Sequence, residues 1–133
     1  MKYHEILLKG NQVLKANKIK NSNLDCELML SKVLNKTREE ILINLNNKIN
    51  KKQKNEFIFY LNKRKKKSPI SYILGFKHFW RFKFYLNKST LIPRPESEHL
   101  VEQTLKLIPI RKSINILDIG TGSGCLIISL LNE

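Results

Sequence analysis

Residues 114–131 read INILDIGTGSGCLIISLL, and three patterns meet in them. Residues 114–119 are a short apolar run rich in isoleucine, the composition of a strand buried on both faces of a parallel sheet. Gly120-Thr121-Gly122-Ser123-Gly124 follows without a break, and residues 125–131 are apolar enough for a buried helix. Strand, glycine loop and helix together predict the opening βα unit of a doubly wound α/β sheet. The glycines matter because a sharp turn must let a ligand reach main-chain N–H groups that a Cβ would block. A dinucleotide fingerprint GxGxxG would need glycine where Cys125 stands, and no Gly-Lys followed by Ser or Thr exists for a phosphate-binding P-loop. What remains is D-x-G-x-G-x-G, with Asp118 two residues before Gly120. A lone parallel strand has no hydrogen-bond partner, and its helix has no second strand to cover. The 133-residue sequence is therefore expected to be truncated relative to a working protein.

Upstream, the period changes twice. Residues 78–86 alternate, with Trp80, Phe82, Phe84 and Leu86 on one side and Arg81 and Lys83 on the other, which predicts a half-buried strand. Asn87-Lys88 is expected to turn the chain into a return strand over 89–92, and Pro93-Arg94-Pro95 to break it. A helix is expected over 96–108, closed by Pro109. Before residue 75 the spacing is helical. Apolar positions predict helices over about 4–17, from Ser22, from Thr37, and from Asn50 to the run Lys63-Arg64-Lys65-Lys66-Lys67. Gly10 weakens the first of them. Ser22 with Asp25 and Thr37 with Glu40 resemble capping boxes, and Ser68-Pro69 stops the last helix. The expected organisation is a helical domain over 1–75, a β-hairpin linker over 76–92, and the incomplete start of an α/β domain over 93–133.

Composition excludes several function classes. Twenty-five basic residues against eleven acidic ones give a formal charge of +14, yet 41% of the residues are hydrophobic, too many for a disordered basic tail. No apolar run is long enough for a membrane span. Residues 1–10 carry Lys2, Tyr3, His4 and Glu5 ahead of a short apolar run, unlike a secretion signal, so the expected location is the reducing cytoplasm. Cys26 and Cys125 form no CxxC, and His4, His78 and His99 are scattered, which gives no support for a metal site. Twenty of the basic residues are lysine, beside fourteen asparagines, a bias that AT-rich codons place on protein surfaces. Readers of guanine or phosphate usually carry more arginine, so the charge predicts weak, nonspecific polyanion binding at low salt. The aromatic stripe reads as core packing, the 63–67 run as a solvated helix end, and His99 as a surface residue.

The segments Pro69-Ile70-Ser71-Tyr72-Ile73-Leu74-Gly75, Phe79-Trp80, Thr90-Leu91-Ile92-Pro93-Arg94-Pro95-Glu96-Ser97-Glu98 and the 116–124 glycine loop resemble, in order and spacing, the HemK/PrmC family. Asp25-Cys26-Glu27-Leu28 stands where that family commonly has Asp-Ala-Glu-Leu. These are N5-glutamine methyltransferases of peptide chain release factors. The resemblance implies a helical domain that helps dock the release factor, a hairpin linker, and a Rossmann-like domain that uses S-adenosylmethionine. The implied reaction methylates the glutamine amide of a Gly-Gly-Gln loop in translation termination. Gly120, Thr121, Gly122, Ser123 and Gly124 match the family's cofactor loop and Asp118 its preceding acid. Arg94 and Glu98 match a motif near the cofactor side, or simply tie the hairpin to the helix. The family's Asn-Pro-Pro-Tyr motif, which holds the acceptor amide, has no counterpart, since the four prolines follow Ser68, Ile92, Arg94 and Ile108. No catalytic residue is therefore assigned, and the sequence alone is expected to be inactive. Two alternatives stand beside this one. One is a methyltransferase of the same fold acting on a ribosomal protein or nucleic acid; the other is a non-catalytic basic module that binds RNA or the ribosome.

Overall fold

The computed structural model describes residues 1–108 and 114–133, and the chain divides into two compact units, Met1–Leu74 and Gly75–Glu133. The first unit is helical: α1 Tyr3–Ala16, α2 Ser22–Leu34, α3 Arg38–Ile43, α4 Lys51–Lys65 and a short α5 Ile70–Leu74. The second holds β1 Phe76–Phe79, β2 Phe82–Tyr85, a 3-10 turn Pro95–Ser97, α6 Glu98–Leu107 and α7 Cys125–Leu131.

Local chemistry explains most helix ends. Thr37 Oγ1 accepts the Glu40 N–H while Glu40 Oε2 accepts the Thr37 N–H, the reciprocal capping box expected from sequence. Asn50 and Gln53 do the same at α4. Ser22 and Asp25 do not. The Ser22 hydroxyl donates to Asn11 at 2.6 Å, and Asp25 turns inward to accept from Arg64 Nε at 2.7 Å, so stronger tertiary partners take both side chains from the helix end. Asn35, left-handed at φ 51°, closes α2. α4 ends at Lys65, ahead of the stop expected at Ser68-Pro69, because Lys67 turns left-handed at φ 63° and the Lys67 and Ser68 N–H groups donate to the Arg64 and Lys63 carbonyls. The chain then makes α5, which periodicity alone did not reveal.

The core of this unit is built on Leu14, Met29, Leu30, Ile41 and Phe57, none more than 1% exposed. Gly10 is buried where α1 meets its neighbours. A Cβ there would lie 2.9 Å from Cys26 Sγ and 3.1 Å from the Phe57 ring, closer than non-bonded atoms tolerate. The glycine that lowers helix propensity is thus what lets α1, α2 and α4 close-pack.

Burial, and then the Asp25 and Glu27 carboxylates, push the Cys26 thiol up to about 12. Alkylation at mildly alkaline pH should therefore label Cys125, which is partly exposed, and leave Cys26 unmodified until the unit unfolds. Peptide mapping after iodoacetamide treatment reads this directly. The sign for stability follows. Between the ordinary thiol value of 9.0 and about 12 the unfolded chain holds fewer protons than the folded one, so this group's contribution falls as pH rises through that window.

In the second unit β1 and β2 pair antiparallel, Phe76 opposite Tyr85 and Phe79 opposite Phe82, leaving Trp80 and Arg81 as the turn. This corrects the strand expected over 78–86, because the hairpin turns inside that run. Trp80 adopts φ 54°, and its N–H donates to Glu98 Oε1 at 2.8 Å; a partner eighteen residues away fixes a turn that local alternation does not encode. Asn87 does form the expected turn, accepting the Thr90 N–H at 3.2 Å, but no strand follows over 89–92. Phe79 and Phe84 pack edge to face, 6.2 Å between centroids, in a cluster with Val101, Leu105, Leu126 and Leu130. The expected core role of the stripe thus holds for Phe84 and Leu86, with Trp80 and Phe82 half-buried, and Phe79, which lies off the expected stripe, is the most buried ring.

The helix expected over 96–108 begins at Glu98, after the 3-10 turn led by Pro95. Its expected closure at Pro109 lies outside the described residues. Residues 114–119 carry no strand, and Leu117 and Ile119 are more than 80% exposed. The buried parallel strand expected there is corrected for the reason that made it costly: no described strand pairs with it.

Candidate functional site in the glycine loop

The loop is built by backbone conformations that side chains disfavour. Gly120, Gly122 and Gly124 sit at φ 78°, 58° and 74°, the left-handed region open to glycine. The Gly124 N–H donates to the Thr121 carbonyl at 2.8 Å, and the Gly124 carbonyl accepts the Ile128 N–H at 2.9 Å, so the turn is clamped to the start of α7. A Cβ on Gly120 would meet nothing within 4 Å, whereas one on Gly124 would lie 3.1 Å from Ile128 Cδ1. Gly120, Thr121 and Gly122 are exposed, and Ser123 and Gly124 half-buried. The loop therefore presents open main chain to an approaching molecule.

Asp118 lies just ahead of this turn, half-buried, and among the described residues its Oδ2 is shielded from solvent without a hydrogen-bond partner. A carboxylate oxygen out of water without a donor is costly. It is the unsatisfied acceptor nearest in sequence to the glycines.

Arg94 and Glu98 are placed differently from each other. Arg94 is exposed and caps the 3-10 turn through its carbonyl, which accepts the Ser97 N–H at 3.0 Å. Glu98 holds the hairpin turn through Trp80, so Glu98 has the structural role and Arg94 does not share it. Trp80 Nε1 also donates to Glu133 Oε1 at 2.6 Å, and Arg81 pairs with the same carboxylate at 3.1 Å. Sequence reading missed this cluster because its members lie 18 and 53 positions apart. The Glu98→Ala substitution, which removes the acceptor altogether, should cost about 1.5–3 kcal/mol of hairpin stability, the scale of a hydrogen bond to a charged group. Trp80 is the single tryptophan, so its fluorescence during urea unfolding reports the loss without interference.

His99 is exposed and lies 3.4 Å from the Glu102 carboxylate. Among the described residues no three His, Cys, Asp or Glu side chains group as a metal site, and no helix is long and apolar enough to cross a membrane.

Comparison with known proteins bears on both units. Residues 5–75 match the family described as the PrmC N-terminal domain. A Leptospira interrogans protein named release factor glutamine methyltransferase is 38% identical over 128 residues, covering 94% of this chain and 44% of the relative. The Coxiella burnetii protein of that name is 40% identical over 114 residues, 86% of this chain and 41% of its own. The Haemophilus influenzae one is 36% identical over 139 aligned positions, covering 100% of this chain and 48% of its own. The chain thus spans somewhat less than half the length of these curated relatives. Through its helical unit and the similarity that continues beyond it, the chain belongs to the HemK/PrmC family of release factor glutamine methyltransferases.

Proposed function

We propose that this chain supplies the substrate-docking helical domain and the cofactor loop of a protein-(glutamine-N5) methyltransferase acting on the Gly-Gly-Gln loop of a peptide chain release factor. In this reading, residues 1–75 dock the release factor and 76–92 link them to the cofactor-binding part. Residues 93–133 open a Rossmann-like domain, in which 114–119 become a strand once a neighbouring parallel strand pairs with them.

The observation that carries the proposal is the loop itself: three left-handed glycines behind a carboxylate with a shielded, partnerless oxygen. These residues fit S-adenosylmethionine, because the loop offers close backbone approach and Asp118 lacks a donor. When bound, the cofactor supplies an electrophilic methyl group on a sulfonium sulfur. Gly120, Thr121, Gly122, Ser123 and Gly124 would hold its amino-acid end, with the Asp118 carboxylate ahead of them to accept a donor. A glutamine amide nitrogen is a poor nucleophile, so a complete site must also fix it in line and accept hydrogen bonds from its N–H groups. No residue of this chain is assigned to that task.

Ultraviolet cross-linking with methyl-labelled S-adenosylmethionine tests the loop. Label is expected on the peptide spanning 114–131, displaced by S-adenosylhomocysteine and lost with Gly122→Val. Label spread over the helical unit, or unaffected by Gly122→Val, contradicts the assignment. The same 133-residue polypeptide is expected to transfer no methyl group to a release factor, and clear product would overturn that.

A further inference from the structure

The outer face of α4 has no part in the proposed cofactor loop. The helix carries six lysines and arginines against one glutamate, and that glutamate is engaged by the Tyr60 hydroxyl at 3.1 Å. Phe57 and Leu61 face the core. On the opposite side Lys52, Asn55, Phe59, Asn62, Lys63 and, at the C-cap, Lys66 are all exposed. Their spacing of three, four, three, one and three places them along one stripe of the helix, about 21 Å long at 1.5 Å per residue.

Phe59 is the anomaly. It stands at the centre of this polar stripe, 55% exposed, whereas Phe57 two residues earlier is 1% exposed. Lys63 Nζ lies 4.2 Å from its ring centroid. Besides Lys63 the ring meets Tyr60, 5.6 Å between centroids, and more than half of it stays open to solvent, which lysines on a solvated helix end do not require.

We infer that this face of α4 docks a single-stranded polynucleotide, with Phe59 stacking on a base and Lys52, Lys63 and Lys66 neutralising backbone phosphates. Charge complementarity requires a polyanion, because the stripe carries cations and amides and no acid. The central ring selects among polyanions. An acidic protein surface offers carboxylates without a π-face, whereas a single strand offers phosphate and unstacked base together. The carboxamides of Asn55 and Asn62 flank the ring with both donors and acceptors.

The test is fluorescence anisotropy of the full chain with a labelled single-stranded oligouridine, titrated between about 50 and 200 mM salt. Phe59→Ala should weaken binding about tenfold and leave the slope of log affinity against log salt unchanged, while Phe59→Tyr should retain affinity. Replacing Lys52, Lys63 and Lys66 together by alanine should lower that slope by about 2. Removing the same charge elsewhere, by Lys15→Ala, Lys20→Ala and Lys36→Ala together, should leave the slope nearly intact. Equal losses from the two triple variants, or no loss with Phe59→Ala, overturn the proposal and reduce the binding to net charge. Equal affinity for a duplex or for polyglutamate overturns it too, because neither presents an unstacked base.

Discussion

The Asp25→Ala substitution should remove about 3–5 kcal/mol from the stability of the helical unit, the cost of leaving one member of a buried ion pair without its partner. Asp25 is 5% exposed and Arg64 18%, so water does little to replace the lost carboxylate. Arg64 also donates to the Ser68 carbonyl at 3.0 Å, which ties α2 to the end of α4 and its exit through Pro69. Whole domains are stable by only about 5–15 kcal/mol, so the variant should unfold at a much lower urea concentration. Circular dichroism should show the midpoint falling with little change in slope. Replacing both partners, Asp25→Leu with Arg64→Met, should recover most of the loss, because an apolar pair of similar volume avoids the desolvation cost. A single variant as stable as the parent would mean that the pair is solvated.

Phe57→Ala should cost a comparable 3–5 kcal/mol, transfer of the ring plus the cavity it leaves. The ring is 1% exposed and sits against Gly10, where an added Cβ would approach it to 3.1 Å. That contact makes a second, coupled expectation. Gly10→Ala alone should destabilise by about 1–2 kcal/mol, overpacking partly offset by better helix propensity. In the Phe57→Ala background the added methyl enters space the ring has vacated. Only the 2.9 Å approach to Cys26 Sγ remains, so its cost should shrink. A double-mutant cycle measures the difference; strict additivity would contradict the packing described here.

The sequence made parts of this structure legible and hid others, and the division is physical. The helix start at Thr37 was readable because a capping box is closed by residues three apart, and the one at Asn50 because an apolar stripe follows it. The glycine loop was readable because left-handed backbone is a property of glycine itself. The Asp25–Arg64 pair was not, since its partners stand 39 positions apart and a local pattern offered Asp25 a different role at the start of α2. The hairpin turn was misplaced because alternation continues smoothly through Trp80, and only Glu98 shows where the chain reverses. The run 114–119 has strand composition, but composition does not make a ladder; pairing does. In the candidate site, Asp118 and the glycines were found by spacing, whereas Glu98 acquired its role only from three-dimensional contact.

The most direct test of the proposed function is a calorimetric titration of a bacterial release factor into the chain, with and without S-adenosylhomocysteine. A saturable complex is expected, lost once urea unfolds the helical unit, at a lower concentration for Asp25→Ala than for the parent, and unaffected in its stoichiometry by Gly122→Val. Absence of binding by the folded chain at high concentration, in either condition, would contradict the docking role assigned to residues 1–75.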